Sequence, residues 1–308
     1  MDPILAIVGA TATGKTALAE AVAQALGGEI VCADSRQVFR EIEIGTGKPS
    51  RAERALRPHH LFDALALGDR ATAGWYAGAA REACAAIHAR GRTPVLVGGS
   101  GLYLDAAMRG LAAEPPHDPA IRARLRAERA TRGAEALHRR LAAADPETAR
   151  HLDPRDAQRV ARALEVLEAS GRPLSAWHAG GREGAVAGAW RVVEVTCPPR
   201  ALAARIERRT RWMFEAGLID ETRALVAAGL RVPLERLRAV GYDEALAVLD
   251  GGLVPSEARA RVNLRTRQLA KRQRTWFRHQ IGNAVIARLE SDGPGKPGVA
   301  DRVLGLLR

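Results

Sequence analysis

The chain has 308 residues, 47% of them hydrophobic and 27% charged, which excludes both a single small module and a long disordered segment. Lys and Arg number 47 against 35 Asp and Glu, so the formal charge of +12 favours polyanionic partners. The 3 cysteines are widely spaced without a C-x-x-C pair, which argues against a disulfide framework or a cysteine zinc site. Because no signal segment or long apolar run is visible, we expect a cytoplasmic protein that does not span a membrane.

The N-terminal part of the chain alternates strands with helices. Short apolar runs predict buried strands at 4–8, 29–33 and 93–97. Helical spacing predicts one helix after Thr16 that ends near Gly27, and a second from Thr72 to about Ala89. Strands that alternate with helices in this way are typical of a parallel α/β sheet.

The middle of the chain has a different composition. A proline-rich linker at 114–119 precedes an Arg-, Ala- and Leu-rich stretch with helical spacing, and a Gly/Ala-rich loop follows at 180–188. This pattern predicts a helical insertion domain over residues 114–188, within a core formed by residues 1–113 and 189–308. The core continues with a strand at 190–195 and with helices at about 201–216, 219–228, 242–249 and 256–280.

A glycine-rich loop joins the first strand to the first helix and matches the pattern G-x-x-x-x-G-K-[ST]. Its residues are Gly9, Ala10, Thr11, Ala12, Thr13, Gly14, Lys15 and Thr16. The backbone N–H groups of such a loop surround a phosphate, Lys15 neutralises phosphate charge, and the Thr16 hydroxyl can hold Mg²⁺. We therefore expect an α/β fold with a parallel-sheet phosphate-loop core, similar to that of P-loop NTPases, and an inserted all-helical domain.

Two polar residues follow neighbouring strands at the edge of the sheet where α/β proteins bind their ligands. Asp34 comes just after the second strand, and we consider three roles for it: an acid or base, a magnesium ligand, or a turn residue. Ser100 lies in the Gly-Gly-Ser-Gly sequence 98–101 that ends the third strand. It could offer its hydroxyl to a phosphate or a substrate, or simply belong to a turn.

Other polar residues carry weaker signals. His59 and His60 are adjacent, and neighbouring side chains on a strand point to opposite faces, which disfavours a shared metal ion. Asp63 and Asp69 are interpreted as loop residues, because no phosphate-binding element adjoins them in the sequence.

Two basic segments could bind nucleic acid. The C-terminal helix carries eight Arg or Lys residues between Arg259 and Arg278, with Trp276 and Phe277 near its end. A solvated basic face is the alternative interpretation of this helix. A second set lies in the predicted insertion, at Arg122, Arg124, Arg126, Arg129, Arg139 and Arg140. Two separate basic faces suit a long polyanion better than a small metabolite.

Further motifs, in this order, cover nearly the whole chain. They are A-D-S-R-Q-V-F at 33–39, I-G-T-G-K-P at 44–49, H-H-L-F-D at 59–63, L-V-G-G-S-G-L-Y at 96–103, Q-R-V-A-R-A-L-E-V at 158–166, R-I-E-R-R-T-R-W-M-F-E-A-G-L at 205–218, A-V-G-Y-D-E at 239–244 and T-R-Q-L-A-K-R-Q-R-T-W-F-R at 266–278. Together with the phosphate loop, the set resembles the tRNA dimethylallyltransferases of the bacterial type.

The resemblance implies a prenyltransferase. Such an enzyme moves a dimethylallyl group from dimethylallyl diphosphate to N6 of the adenosine at tRNA position 37, beside the anticodon, and releases diphosphate. By resemblance, Asp34 is the general base, and Ser100 and Arg209 stabilise the departing oxygens. The loop from Gly9 to Thr16 would hold the diphosphate, with Mg²⁺ on Thr16.

The resemblance also implies contacts to the anticodon arm of tRNA by a monomeric protein. The tRNA-contacting residues would be Asp34, Ser35, Arg36, Gln37, Arg122, Gln158, Arg159, Val160, Ala161 and Arg162. Two positions depart from the family pattern: Gly47 stands where Ala is frequent, and Arg36 stands where an uncharged residue is common.

Three other functions share some of these features. An ATP-dependent small-molecule kinase would have the same phosphate loop and Mg²⁺ site. A prenyltransferase acting on free adenylate would share the chemistry but would not need the helical insertion. An RNA-binding protein without chemistry would not need Asp34 at the edge of the sheet.

Overall fold

The structure is a computed structural model that describes residues 3–113, 115–290 and 298–306. Within these ranges the strands form one six-stranded, all-parallel sheet in the order β3-β2-β4-β1-β5-β6. The strands are β1 (Pro3–Gly9), β2 (Glu29–Cys32), β3 (His59–His60), β4 (Pro94–Gly98), β5 (Ala189–Thr196) and β6 (Val285–Glu290). The predicted parallel α/β class is confirmed.

Helices connect and cover the strands. They are α1 (Lys15–Leu26), α2 (Arg51–Ala55), α3 (Ala73–Ala89), α4 (Gly101–Arg109), α5 (Pro119–Arg132), α6 (Ala134–Ala144), α7 (Pro146–Arg150), α8 (Ala157–Ser170), α9 (Leu174–His178), α10 (Pro199–Glu215), α11 (Leu218–Ala227), α12 (Arg231–Leu237), α13 (Tyr242–Leu249), α14 (Pro255–Gln280) and α15 (Val299–Gly305). The predicted cap of α3 is present, because the Thr72 hydroxyl accepts a hydrogen bond from Trp75 N.

The described residues pack as two compact units. The first consists of the segments up to Met108 and from Val186 onward, and the second is Arg109–Ala185. The central strands of the first unit are buried along nearly their whole length, as expected for a parallel sheet covered on both faces. The second unit contains α5 to α9 around its own small core, with Leu125, Leu137, Leu141, Val160 and Leu164 at its centre.

Two edge strands were absent from the sequence prediction. β3 has only two residues, which is too short to produce a periodic pattern. β6 alternates half-buried and exposed residues, so it lacks the apolar run that identifies the central strands. Sequence periodicity therefore located the four central strands and missed the two edge strands.

Two further features concern the cysteines and the length of the helices. Cys32, Cys84 and Cys197 are all buried. Among the described residues, no helix is both long enough and apolar enough to cross a membrane.

Candidate active site

The phosphate loop has a constrained backbone. Ala12 has a positive φ of 63°, a conformation that costs a non-glycine residue about 1 kcal/mol. Two internal hydrogen bonds hold the loop in shape, since both the Thr13 hydroxyl and the Lys15 ammonium donate to the carbonyl oxygen of Ala10, at 2.9 and 3.3 Å. Gly14 is the N-cap residue of α1, and it provides no side-chain hydrogen bond to the helix. The first N–H groups of α1 are therefore available to an anion.

A cavity of about 530 Å³ lies beside this loop. It is lined by residues of the loop, α1, the segment 47–49, α2 and α10. Its charged side chains are mainly basic: Lys15, Lys48, Arg205, Arg208 and Arg209, against Glu20 and Glu53. The carboxylates of Glu20 and Glu53 already accept hydrogen bonds from other protein groups. The unbalanced positive charge makes the cavity suitable for a phosphate-bearing ligand.

Asp34 lies close to two of these cations. Burial lowers the pKa of Lys15 to about 8, while the charge of Asp34 raises it and that of Arg209 lowers it. Burial also lowers the pKa of Arg209, again opposed by Asp34. The three charged groups therefore interact electrostatically, and the two positive charges exceed the single negative charge of Asp34. A bound anion would balance the remaining positive charge.

Arg209 is held in place by the turn at Ile44–Thr46. Its guanidinium donates to the carbonyl oxygen of Thr46 at 2.7 Å. Gly47 adopts a φ of 55°, and a Cβ there would lie 2.3 Å from the Arg209 guanidinium nitrogen. The glycine at this position leaves room for the guanidinium. Gln37 donates to the carbonyl oxygens of both Thr46 and Gly47, at 3.1 and 3.2 Å.

The same turn is anchored from α11 and α13. The Glu221 carboxylate accepts hydrogen bonds from the backbone N–H groups of Glu43 and Ile44, at 2.6 and 3.0 Å. The Tyr242 hydroxyl accepts one from Gly45 N at 3.1 Å and donates to Glu221 at 2.9 Å. Tyr242 of the A-V-G-Y-D-E motif thus contacts the turn formed by the I-G-T-G-K-P motif. The sequence marked both motifs but assigned no role to Glu221 or Tyr242.

The segment after β2 is tied to the end of β4. The backbone N–H of Ser35 donates to the Ser100 hydroxyl oxygen at 2.8 Å, and Ser100 N donates to the carbonyl oxygen of Ala33 at 3.2 Å. Asp34 accepts a hydrogen bond from Arg36 N at 2.9 Å. Asp34 and Ser100 are therefore brought together, as their positions after neighbouring strands indicated. The Ser100 hydroxyl hydrogen is still available for a ligand.

The two histidines bind separate carboxylates. His59 contacts Glu20 and His60 contacts Glu29, each at 2.6 Å. Asp63 accepts hydrogen bonds from Lys48, at 2.5 Å, and from Arg54. Burial acts to raise the pKa of Asp63, but these two cations outweigh it and lower the pKa. The H-H-L-F-D motif thus fastens this loop to its neighbours.

Comparisons with known proteins find relatives along nearly the whole chain. The family model described as IPP transferase matches residues 37–280, and the one described as Isopentenyl transferase matches residues 3–61. A tRNA dimethylallyltransferase of Methylibium petroleiphilum is 50% identical over 92% of this chain and 88% of that protein. One from an Anaeromyxobacter species is 46% identical over 93% of this chain and 95% of the relative.

The chain belongs to the tRNA dimethylallyltransferase family. Among solved structures, the tRNA isopentenylpyrophosphate transferase of Bacillus halodurans has a TM-score of 0.70 at 32% identity, covering 100% of this chain and 97% of that one. A eukaryotic dimethylallyltransferase acting on tRNA has a TM-score of 0.82 at 24% identity, covering 99% and 78%, and shows the shared fold. The predicted family and enzyme class are confirmed.

Some of the candidate tRNA-contacting residues of the second unit are bonded to other protein groups or buried. Arg122 donates to the buried carboxylate of Glu165 at 2.8 Å, and Arg162 donates to the carbonyl oxygens of Pro115 and Pro116. Val160 is fully buried, backbone included, and belongs to the core of this unit. The sequence had no signal for Glu165, because its Arg122 partner is 43 residues away.

The exposed candidates border a second cavity of about 740 Å³, which lies within the second unit. Gln158, Arg159 and Arg162 line it, together with residues of α7 and α9. Arg159 is exposed and forms an ion pair with Asp156. The cavity and its basic rim give this part of the unit the shape and the charge to receive part of a polyanion.

Helix α14 carries the basic C-terminal segment. Ala258, Val262, Ala270 and Phe277 form its buried side. Its exposed basic residues are Arg259, Arg261, Arg267, Lys271, Arg272 and Arg278. Arg265 instead pairs with Asp243 and Glu244.

Proposed function

We propose that this chain transfers a dimethylallyl group from dimethylallyl diphosphate to N6 of adenosine 37 in tRNA. The observation that carries the proposal is the grouping of Asp34 with Lys15 and Arg209 beside a phosphate loop, in a chain of this family. A carboxylate beside two cations suits a reaction in which a proton is removed and a diphosphate leaves.

In the proposed reaction, the N6 amine of adenine attacks the allylic carbon. The new C–N bond forms as the bond between that carbon and the diphosphate oxygen breaks. Asp34 accepts the proton released from N6, which leaves a neutral secondary amine. An exocyclic adenine amine is a poor nucleophile, so a carboxylate within hydrogen-bond reach helps as the bond forms. The adenosine lies in an RNA loop, where unstacking it costs less than in a duplex.

The departing diphosphate carries the negative charge. Lys15, Arg209 and free backbone N–H groups of the phosphate loop bind it, and the Ser100 hydroxyl donates to one of its oxygens. The Thr46 carbonyl bond fixes the direction of the Arg209 guanidinium before substrate binds. Preorganised donors of this type stabilise the leaving group without reorganising during the reaction.

The protein oxygens near the phosphate loop suit a Mg²⁺ ion that is bound mainly by the phosphates of the substrate and by water. Among the described residues, no group of three or more His, Cys, Asp or Glu side chains could hold a metal ion. Mg²⁺ bound to a phosphate compound uses one or two protein oxygens, several waters and the phosphate oxygens. The half-buried Thr16 hydroxyl follows Lys15 and is the protein oxygen we assign to it. When bound, Mg²⁺ would neutralise diphosphate charge.

We propose that the anticodon arm contacts residues of both units. In the first unit these are Asp34, Ser35, Arg36 and Gln37, and in the second Arg122, Gln158, Arg159, Ala161 and Arg162. Val160, which was also a candidate, is fully buried and supports this segment from the core. The exposed basic side chains and the cavity beside Gln158 support contacts with RNA. We further propose that the protein acts as a monomer in the cytoplasm, where it meets tRNA.

Incubation of the protein with Mg²⁺, labelled dimethylallyl diphosphate and unmodified tRNA tests the proposal. Label is expected in tRNA, at the adenosine beside the anticodon. Parallel reactions contain free AMP in place of tRNA, or ATP in place of the prenyl donor. Transfer to AMP but not to tRNA, or ATP consumption without prenyl transfer, would overturn the proposal.

A further inference from the structure

One side chain joins the phosphate loop to a distant helix. Gln273 lies on α14, and its carbonyl oxygen accepts a hydrogen bond from the backbone N–H of Thr11 at 2.8 Å. Its amide nitrogen donates to the carbonyl oxygen of Gly99 at 3.0 Å. The single amide therefore connects the loop after β1, the glycine-rich turn after β4, and α14.

The oxygen of the Gln273 amide accepts a hydrogen bond and its nitrogen donates one. Thr11 offers a donor and Gly99 offers an acceptor, so only a side chain with one of each satisfies both. Gln273 and Thr11 are 262 residues apart in the sequence. The hydrogen bond also occupies the Thr11 N–H, so this group faces the protein while the later N–H groups of the loop and α1 remain for phosphate.

Close packing fixes where the amide lies. A Cβ at Gly99 would be 2.5 Å from the Gln273 amide nitrogen, and a Cβ at Gly101 would be 2.1 Å from the Trp276 ring. Ala10 and Ala270 are both buried in a small cluster that includes residues of α10. Helix α14 therefore rests directly on both glycine-rich segments, and the Gln273 side chain has little freedom.

We propose that Gln273 is a positioning residue that sets the affinity of the loop for diphosphate. The loop binds phosphate through backbone N–H groups, so its affinity depends on the direction of those groups. Ala12 already has a strained φ, and the Gln273 bond to the adjacent Thr11 holds that conformation from outside the loop. Preorganisation of this kind lowers the cost of binding. The inference rests on the proposed function only in taking diphosphate as the ligand.

Two substitutions separate the two hydrogen bonds from the shape of the side chain. Q273M keeps the length of the side chain and removes both bonds, and Q273E keeps the acceptor for Thr11 but removes the donor to Gly99. Gln268, an exposed residue on the same helix, provides the matched control Q268M. Circular dichroism and thermal unfolding establish that each variant is folded.

The first measurement is calorimetric binding of inorganic pyrophosphate with Mg²⁺, which does not depend on catalysis. We expect the dissociation constant to rise about tenfold in Q273M and also to rise in Q273E, and to stay at the wild-type value in Q268M. In prenyl transfer, the KM for dimethylallyl diphosphate should rise while the KM for tRNA changes little. A general loss of structure would move both KM values.

Wild-type pyrophosphate affinity in folded Q273M and Q273E would overturn the inference. An equal rise in both KM values would overturn it as well, since that result indicates a structural role only. Failure of the proposed function gives a different result, because the wild-type protein would then bind pyrophosphate without transferring a prenyl group to tRNA.

Discussion

Asp34 is the residue on which the proposed chemistry depends most. Its carboxylate accepts one backbone hydrogen bond, from Arg36, and lies near Lys15 and Arg209. The segment that carries it is fixed to β4 through Ser100. A carboxylate held in this way can accept a proton without a change in the surrounding backbone.

Replacing Asp34 with Asn tests the assignment as base. We expect the rate of prenyl transfer to fall by about 10²- to 10⁴-fold, because the amide cannot accept the proton, while tRNA affinity is retained. Single-turnover kinetics and a tRNA binding assay measure the two effects. D69N is the control, since Asp69 caps only its own turn. A rate within a few-fold of the wild type would exclude the assignment.

The buried ammonium group of Lys15 should make the binding of pyrophosphate depend on pH. Its pKa of about 8 means that the free protein loses this positive charge as the pH rises through 8. Pyrophosphate affinity should therefore decrease between pH 7 and pH 9, because the charged ammonium is the form that binds the anion. Calorimetry across this range measures the change. In K15M the affinity should be lower at pH 7 and should vary less with pH, and an unchanged profile in K15M would contradict the assignment.

At the scale of elements, the turn at Ile44–Thr46 shows how helices outside the site control it. Glu221 on α11 and Tyr242 on α13 hold the turn, and the turn holds Arg209. Burial raises the pKa of Tyr242, so its hydroxyl keeps the proton that it donates to Glu221. The position of one cation is thus determined by packing between α11 and α13.

Y242F removes the hydroxyl and leaves the Gly45 N–H without its acceptor. We expect a loss of about 1 kcal/mol in the free energy of unfolding and an increase in the KM for dimethylallyl diphosphate. Chemical denaturation and steady-state kinetics measure these changes. Y76F is a matched control, because the buried Tyr76 hydroxyl has no hydrogen-bond partner among the described residues. Equal effects in both variants would show that the hydrogen bond is unimportant.

The sequence predicted the elements that carry strong local patterns. Apolar runs located β1, β2, β4 and β5, and the loop pattern located Lys15 and Thr16 between a strand and a helix. Because Asp34 and Ser100 each follow a strand, their positions in the sequence were enough to predict that they lie at the same edge of the sheet. The residues that orient these groups, Gln273 and Tyr242 among them, were not predictable in this way, because their partners lie far away in the sequence. Only the three-dimensional packing shows which amide meets which loop.

At the scale of the whole molecule, basic residues occur in both compact units. Helix α14 exposes several in the first unit, and α5 carries Arg126 in the second. Each unit has its own hydrophobic core. Exposed positive charge is therefore present in both units.

Salt should weaken tRNA binding strongly if both surfaces contact phosphates. The logarithm of the binding constant is expected to fall linearly with the logarithm of salt concentration, with a slope of about −0.7 for each phosphate contact. R267A and R126A should each make the slope less steep by roughly one contact. R302A on α15 is the control. A flat salt dependence in the wild type would count against binding through two basic surfaces.

The buried cysteines have a practical consequence for following such binding. Thiol reagents attack the thiolate, and burial raises the pKa of Cys32 and raises that of Cys84 to about 12, while Cys197 is also buried. The native chain should therefore resist maleimide dyes without removal of its own cysteines. One new surface cysteine in each unit would then carry the only fluorophores. The distance between the units could be recorded during a single turnover.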